Sequence, residues 1–265
     1  MKKYWKTISN EFQKQLNFRF FILAYVIGNF FDLLAQIVVW SAAFRDVSEV
    51  NGYDYQTMLS YVVFGWIFRY LTTNYEYESI IQKDIHLGRL SNFIIKPISY
   101  VKYVMANAIG RNFFAFGVII VTSAVYVIIF GKNLIFSSSL WVGPILFIYF
   151  IMAYLTKFYI SIIIGYIGFW TKEISGMSYS ANTLVKFFSG AYFPLDLLPG
   201  SILYVFYGFP FIYIFFMPTQ IFIGRIDFAQ SFRGILVMGV WLLVLHFAVK
   251  ILWKLGLNKY ESAGI

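Results

Sequence analysis

Four charged side chains lie inside or close to long apolar segments of the chain: Asp32, Arg69, Lys157 and Lys186. Charge is costly in the interior of a bilayer, so each of these is a candidate for a functional role. Asp32 lies 12 residues before the predicted outer end of the first apolar segment, at Phe44. Arg69 lies 12 residues after the predicted outer start of the second, at Thr57. At 1.5 Å per residue, both then sit about 18 Å below the same boundary. This depth predicts an ion pair between adjacent helices, and the alternative is contact with a transported substrate.

The two lysines lie in later segments, Lys157 near the middle of the fourth and Lys186 about eight residues into the fifth. A lysine near the end of a span can extend its ammonium group to the surface, for which Lys157 is poorly placed. If its helix lines a cavity, Lys157 is positioned to contact an anionic headgroup or an acidic substrate.

Other chemistries find little support in the residues. The chain has no cysteine and two histidines, His86 and His246, which lie far apart in sequence. No cluster of His, Asp and Glu has the spacing of metal ligands, so no metal site is expected. No Ser/His/Asp arrangement can be argued, and no G-x-x-x-x-G-K-[ST] phosphate-binding loop is present. The chain is therefore not expected to be an enzyme, and His246 is interpreted as a packing residue.

Composition indicates the elements that hold these charges. Hydrophobic residues make up 60% of the chain and charged residues 12%, with a mean hydropathy of +0.71. A soluble domain of this size cannot bury so much apolar surface, which predicts an all-α polytopic membrane protein with one membrane domain over 1–265. Six membrane-spanning helices are predicted, the fifth of them short: Phe20–Phe44, Thr57–Tyr75, Met105–Phe130, Leu140–Trp170, Ser178–Phe193 and Ser231–Trp253.

A further apolar stretch, Ile202–Ile223, is interrupted by Pro210 and Pro218. Proline removes a hydrogen bond from a helix interior. The region 194–229 is therefore predicted to form two short helices that lie on the outer face or dip into it. The alternative is a kinked seventh span.

Basic residues fix the predicted orientation, with the N-terminus inside and both termini cytoplasmic. The segments that are then inside hold Lys2, Lys3, Lys6, Lys14, Arg19, Lys83, Arg89, Lys96, Lys102, Arg111, Lys172, Lys250, Lys254 and Lys259, and those outside hold Arg45, Lys132, Arg225 and Arg233. Because these residues flank spans and form no separate basic domain, the net charge of +9 indicates topology and no nucleic-acid partner.

The N-terminal segment 2–18 has helical periodicity. Tyr4, Trp5, Ile8, Phe12 and Leu16 cover one face, and lysines lie on the other. This pattern is typical of a helix in the plane of the inner membrane interface, in contact with lipid. The alternative is a cytosolic helix packed on protein.

The longest inside loop, 76–103, is predicted to contain a short helix that ends near Gly88, since glycine commonly ends helices. Lys96-Pro97 then interrupts the chain before the third span. A short charged helix that projects from a membrane domain suits docking to a soluble partner. The alternative is a solvated loop held at the headgroups by its lysines.

Three motifs in this order resemble the permeases of ABC-2-type ABC transporters. The loop carries Asp84-Ile85, Gly88 and Leu90 followed by Lys96-Pro97. The outer region reads Phe193-Pro194-Leu195-Asp196-Leu197-Leu198-Pro199-Gly200, followed by Pro210, Tyr213, Pro218 and Gly224. The C-terminus, Trp253–Gly264, is similar to the tail of a six-span subgroup of about 265 residues, often encoded as paired permeases beside one ATPase.

The resemblance implies a permease subunit of an ATP-driven exporter in the cell membrane (inner or plasma membrane). It implies a dimer with an identical or a sister permease, and two copies of a cytosolic ATPase that bind ATP and Mg. Asp84, Ile85, Gly88, Arg89 and Leu90 would form the ATPase-coupling loop, and Pro194, Leu195, Pro199 and Gly200 the outer-face motif. This chain itself would need no cofactor.

Two other functions are weighed against the permease. An ion-coupled secondary transporter is compatible with charges in the spans, but the spans show no paired halves with matching interrupted helices. A lipid-modifying membrane enzyme would need acid, base or metal-binding residues clustered near one boundary, and the sequence has none.

Overall fold

A computed structural model describes residues 2–16, 19–72, 77–95 and 98–260 of the chain. Within these ranges the secondary structure is helical and contains no strand, which confirms the all-α prediction. The helices are α1 (Lys2–Leu16), α2 (Arg19–Ala43), α3 (Tyr55–Leu71), α4 (Tyr77–His86), α5 (Ser91–Ile94), α6 (Tyr100–Phe130), α7 (Val142–Ile167), α8 (Ser175–Ser189), α9 (Gly200–Phe206), α10 (Phe216–Phe222) and α11 (Phe228–Leu257).

In the described part of the chain, four helices are long and apolar enough to cross a membrane: α2, α6, α7 and α11. The predicted second and fifth spans correspond to α3, with 17 residues, and α8, with 15 residues. Both are shorter than the roughly 20 residues that a helix needs to cross the bilayer core. A polytopic membrane protein is therefore confirmed, and the count of six spans stays a prediction.

Helix α7 is central to the fold. It packs against α11 along its length, against α4 near its C-terminal end and against α10 near its N-terminal end. One group of buried apolar side chains includes Tyr61, Tyr149 and Phe216 at the α10 end. A second group, at the α4 end, includes Ile81 and Tyr166. The molecule thus has an α10 end and an α4 end on opposite sides of the apolar helices.

Two glycines allow close helix contacts on α7 and α11. A Cβ atom at Gly165 would lie 2.8 Å from the Cβ of Ile81 in α4. A Cβ atom at Gly234 of α11 would lie 2.8 Å from the ring of Tyr213. Small residues let helix backbones approach closely, so these glycines set the positions of α4 and α11 relative to their neighbours.

The proline-interrupted stretch forms three short elements where two helices were predicted. α9 is largely exposed, whereas the 3₁₀ turn Phe211–Ile214 and α10 are mostly buried against α3, α7 and α8. Pro218 lies in the first turn of α10, where its missing N–H costs little. α9 and α10 have seven residues each, so neither has the length of a span.

Helix α1 packs along the first half of α6. The backbone of Ile8 lies against Gly110, and Arg111 Nε lies 3.8 Å from Glu11 Oε2. Trp5, predicted on the apolar face, is 72% exposed and points away from α6. The contact with α6 supports the packed alternative, and a position in the plane of the membrane interface stays a prediction for α1.

Candidate functional site

The loop between α3 and α6 is more deeply embedded than the sequence predicts. Asp84, Ile85 and Leu90 are buried, and Gly88 is half-buried at the turn after α4. Of the five residues predicted to couple to an ATPase, Arg89 is therefore the one whose side chain is exposed. The described loop contains two helices, α4 and α5, where one was predicted, and Lys96-Pro97 lies outside the described residues.

Gly88 ends α4 as predicted, with a positive φ of 71°. This left-handed conformation lets the N–H groups of Arg89 and Leu90 return to the carbonyl oxygen of Asp84, at 3.0 and 3.3 Å. Glycine adopts that conformation without the steric penalty that a Cβ atom brings. The chain therefore reverses sharply after α4.

The Asp84 carboxylate stabilises this reversal from inside the loop. Its Oδ2 accepts a hydrogen bond of 3.0 Å from the Tyr100 hydroxyl at the start of α6, and its Oδ1 lies 3.6 Å from Arg89 Nη1. Asp84 is thus a structural residue that connects α4 to α6. Its contact with Tyr100, 16 residues away, is what the sequence pattern did not reveal.

Two side chains form the exposed tip of the reversal, Leu87 and Arg89, which we call the loop tip. Leu87 is 58% exposed, and the Arg89 side chain is 59% exposed. The neighbouring His86 ring hydrogen-bonds through Nε2 to the Gly168 carbonyl oxygen at 2.9 Å. The loop tip therefore presents an exposed apolar side chain and a cation, next to a residue that is fixed to the end of α7 by a hydrogen bond.

Three helices converge on the loop from the rest of the protein. Gln82 donates to the Lys172 carbonyl oxygen just beyond α7. Tyr100 stacks on Trp253 of α11 at 5.6 Å and an interplanar angle of 14°. The Ser91 N–H donates to the Tyr260 hydroxyl oxygen at 3.3 Å. Displacement of the loop would therefore act directly on α6, α7 and α11.

Burial raises the pKa of the Asp84 carboxyl, against the opposing effects of the Tyr100 hydroxyl and the Arg89 guanidinium. A raised pKa means that the folded state binds this proton more tightly than the unfolded state, so stability falls as pH rises through the folded pKa. We expect Asp84→Asn to be at least as stable as the wild type at neutral pH, because it removes a buried charge and keeps the acceptor for Tyr100. The advantage should shrink as the pH is lowered from neutral toward about 4, the ordinary pKa of an aspartate.

Thermal unfolding midpoints in detergent, measured for both proteins across this pH range, check the expectation. Asp227→Asn is the matched control, because Asp227 is an exposed N-cap carboxylate whose Oδ1 accepts from the Gln230 N–H. A gap between Asp84→Asn and wild type that stays constant across this range would contradict the role assigned to the Asp84 charge.

The intramembrane charges meet in the interior of the bundle. Arg69 Nη2 donates to Asp32 Oδ2, and the Tyr70 hydroxyl also donates to this oxygen, at 3.2 Å. The structure therefore brings together the two residues whose depths matched in the sequence. The Arg69 side chain is 13% exposed and that of Asp32 is 38% exposed, so the pair is partly open on the Asp32 side.

The two lysines extend this charged region. Lys157 Nζ donates a 3.1 Å hydrogen bond to Thr72 Oγ1, directly after α3. Lys157 and Lys186 lie near enough to each other and to Arg69 for their charges to repel. Lys157 is half-buried and Lys186 is exposed in the single chain, so nearby polar groups, water or a bound molecule would lower the cost of placing their charges in a membrane.

Below these lysines, α8 and α4 contribute another polar contact. Asn182 Nδ2 donates to Glu78 Oε1 at 3.0 Å. Glu78 is 3% exposed, and its Oε2 has no hydrogen-bond partner among the described residues, like the buried Ser178 hydroxyl. A buried carboxylate oxygen without a partner is expensive, which indicates room for water or a ligand there.

We call these groups the polar seam; its members are Asp32, Arg69, Thr72, Glu78, Lys157, Asn182 and Lys186. They lie on α2, α3, α4, α7 and α8 or, for Thr72, directly after α3. Sequence reasoning missed Glu78 and Asn182. The available signal was the spacing of Ser178, Asn182 and Lys186 at four-residue intervals, which puts these three polar side chains on one face of α8.

At the α10 end, the outer-face motif surrounds a different carboxylate. The Tyr53 hydroxyl lies 2.9 Å from both oxygens of Asp196, and Gln220 Nε2 lies 3.2 Å from Asp196 Oδ2. Arg225 Nη1 is 3.7 Å from the same oxygen and lies over the Tyr53 ring. Burial raises the pKa of Asp196, against the effects of Tyr53 and Arg225.

The four predicted motif residues frame this cluster without joining it. Pro194 precedes the 3₁₀ turn Leu195–Leu197 and Pro199 precedes α9. Leu195 is fully buried, whereas Gly200 is exposed and has open space where a Cβ would be. The polar member of the motif, Asp196, makes the contacts that hold this end of the protein together.

Chemically, the polar seam can hold the polar or charged part of a molecule inside an apolar bundle. Across residues 2–16, 19–72, 77–95 and 98–260, no three His, Cys, Asp or Glu side chains are grouped as metal ligands would be. Arg69 pairs with Asp32, Lys157 hydrogen-bonds to Thr72 and Glu78 accepts from Asn182, so these side chains are suited to binding and orienting a polar group.

Comparison with protein families gives one match: the model described as an ABC-2 family transporter protein covers residues 30–264. No curated protein and no solved structure matches the chain. The family match includes the polar seam, the loop tip and the cluster around Asp196.

Proposed function

The chain belongs to the ABC-2 family of transporter proteins, and on this premise we propose that it is the membrane-spanning permease subunit of an ATP-driven exporter. The chain is an integral membrane protein, and its family supplies the membrane component of transporters. In the proposal, a separate cytosolic ABC ATPase binds ATP and Mg, and two copies of it act on a pair of permeases.

The observation that carries this proposal is the construction of the loop tip. Leu87 and Arg89 are exposed, while the residues behind them contact α6, α7 and α11. An apolar side chain flanked by a cation suits insertion into a groove of a soluble partner. Force applied to the tip by closure of an ATPase dimer would then reach three helices at once.

We propose that the export path follows the polar seam along α8. In the single chain, most of α8 is uncovered, with Ser178 and Ser189 as its buried residues, and Asn182 and Lys186 are exposed. A second permease, identical or a sister chain, would cover α8 and enclose these side chains between the two subunits. Nucleotide binding would favour one of two access states of this path, as coupling between sites requires.

We propose that the protein lies in the inner or plasma membrane of the cell. In the proposed orientation, the α4 end and both termini are in the cytoplasm. The bias of lysine and arginine toward that end supports it. The Asp196 cluster is then on the outer face, and export is the direction that the family resemblance favours.

Purification of the tagged protein from its native membranes in mild detergent, followed by mass spectrometry, tests the proposal. We expect a stoichiometric ATPase to accompany the wild type. Leu87→Asp should lower its recovery at least tenfold, because it places a charge in the apolar contact. Leu140→Asp is the matched control: Leu140 is 96% exposed near the start of α7, at the opposite end, and its substitution should leave the ATPase bound.

A clean wild-type protein without an ATPase, under conditions that preserve other membrane complexes, would overturn the proposal. Transport in proteoliposomes separates it from ion-coupled transport. Inhibition by vanadate supports the ATP-driven permease, whereas collapse by an ionophore supports the secondary transporter.

A further inference from the structure

A groove at the α4 end of the molecule has no role in the function proposed above. It has a volume of about 810 Å³ and lies between α1, α6, α7 and α11. Its walls are mostly apolar and aromatic, and include Ile8, Met105, Ile109, Phe158 and Trp253. This is the size of a site for one small amphipathic molecule.

The groove is separate from the polar seam because the two use different faces of α7. Lys157 points toward Thr72, at the end of α3. Tyr159 points toward α11, where its hydroxyl lies 3.1 Å from His246 Nδ1. Two residues along a helix correspond to a rotation of about 200°, so a molecule in the groove contacts the side of α7 that faces away from the seam.

Two lysines, Lys102 and Lys250, are the charged residues that line the groove. Both are exposed, and neither forms an ion pair with a carboxylate among the described residues. Lys250 lies against the ring of Phe247, with its Nζ 5.6 Å from the ring centroid. The groove therefore carries two positive charges that the protein itself does not neutralise.

The polar groups deeper in the groove are already satisfied. His246 and Tyr159 hydrogen-bond to each other, and the Ser99 N–H donates to the Tyr4 hydroxyl oxygen at 3.3 Å where α1 meets α6. His246 lies 11 residues before Leu257, so the groove extends about 16 Å along α11 at 1.5 Å per residue. Its ligand must therefore combine an anionic group with a long apolar part that needs no hydrogen bonds.

We propose that this groove binds one anionic phospholipid of the surrounding membrane. The phosphate group contacts Lys102 and Lys250 near the membrane surface, and an acyl chain lies between α6 and α11 along Met105 and Ile109. Basic pockets between transmembrane helices bind acidic headgroups by this combination of charge and apolar contact. The bound lipid would join α1, through Tyr4 and Ile8, to α6 and α11.

Native mass spectrometry of the purified protein tests the proposal without an ATPase or transport. The protein is titrated with phosphatidylglycerol or phosphatidylethanolamine that carry identical acyl chains. We expect one phosphatidylglycerol to be retained with higher affinity than phosphatidylethanolamine. The double variant Lys102→Gln/Lys250→Gln should lower phosphatidylglycerol affinity about 30-fold, since each lysine near the surface contributes roughly fivefold.

The control variant is Lys132→Gln/Lys172→Gln, which removes two lysines that do not line the groove and should leave the affinity unchanged. If the first double variant fails to fold, Ile109→Trp fills the apolar part of the groove with both lysines intact and should also lower the affinity for phosphatidylglycerol. Equal affinity for the two lipids, equal loss in both double variants, or displacement of the lipid by inorganic phosphate would overturn the proposal. The test is independent of the exporter proposal, because it measures neither ATP hydrolysis nor transport.

Discussion

Asp32→Asn and Arg69→Gln are each expected to destabilise the folded protein by about 3 kcal/mol, and the double variant by clearly less than the sum. Removal of one member of an ion pair away from water takes a compensating charge away from the other. Here Arg69 is the more buried partner, so Asp32→Asn should be the more damaging single substitution. In Arg69→Gln, the Tyr70 hydroxyl can still donate to Asp32 and partly replaces the lost donor. In Asp32→Asn, Tyr70 does nothing to balance the charge of Arg69.

Unfolding midpoints in detergent and the yield of monodisperse protein measure these effects in a double-mutant cycle. Arg45→Gln is the control, because Arg45 is exposed in the loop after α2. Strictly additive losses, with the double variant as unstable as the two single variants combined, would mean that the contact between Asp32 and Arg69 contributes nothing to stability.

Gly165→Leu is expected to displace α4 from α7 and, in the proposed permease, to lower ATP-driven transport at least tenfold. A Cβ atom at position 165 would lie 2.8 Å from the Ile81 Cβ, which is fixed to the α4 backbone and cannot rotate away. Overpacking of this kind costs about 1–3 kcal/mol and is relieved by movement of the backbone. Because α4 carries the loop tip, its movement should misplace Leu87 and Arg89.

Gly143→Leu is the matched control on the same helix, since a Cβ atom at Gly143 has no neighbour within 4 Å. Reconstituted transport and ATPase recovery are measured for both variants, with gel filtration as the test of folding. A folded Gly165→Leu protein with wild-type ATPase recovery and transport would show that the position of α4 does not matter for coupling.

The sequence predicted well the features that depend on neighbouring residues or on position along the chain. Long apolar segments correspond to helices because every backbone group in lipid needs an internal hydrogen bond. The juxtaposition of Asp32 and Arg69 followed from depth alone, since adjacent helices with a short connection are neighbours. Gly88 ended the loop helix for a local conformational reason.

The features that the sequence missed depend on contacts between distant residues. Nothing near Asp84 indicates that its carboxylate faces Tyr100 and not a partner protein. The same holds for Glu78 and Asn182, which are 104 residues apart. In a chain with 60% hydrophobic residues, the inward side of a helix cannot be distinguished from the lipid-facing side by hydropathy, because both are apolar.

The cluster around Asp196 has a mechanical consequence for the α10 end of the protein. One carboxylate holds the loop before α3 through Tyr53, α10 through Gln220, and the segment before α11 through Arg225. A movement that separates two of these segments removes a partner from the same half-buried carboxylate. The three segments at the α10 end are therefore linked through one carboxylate group, and we expect them to separate together and not by independent fraying.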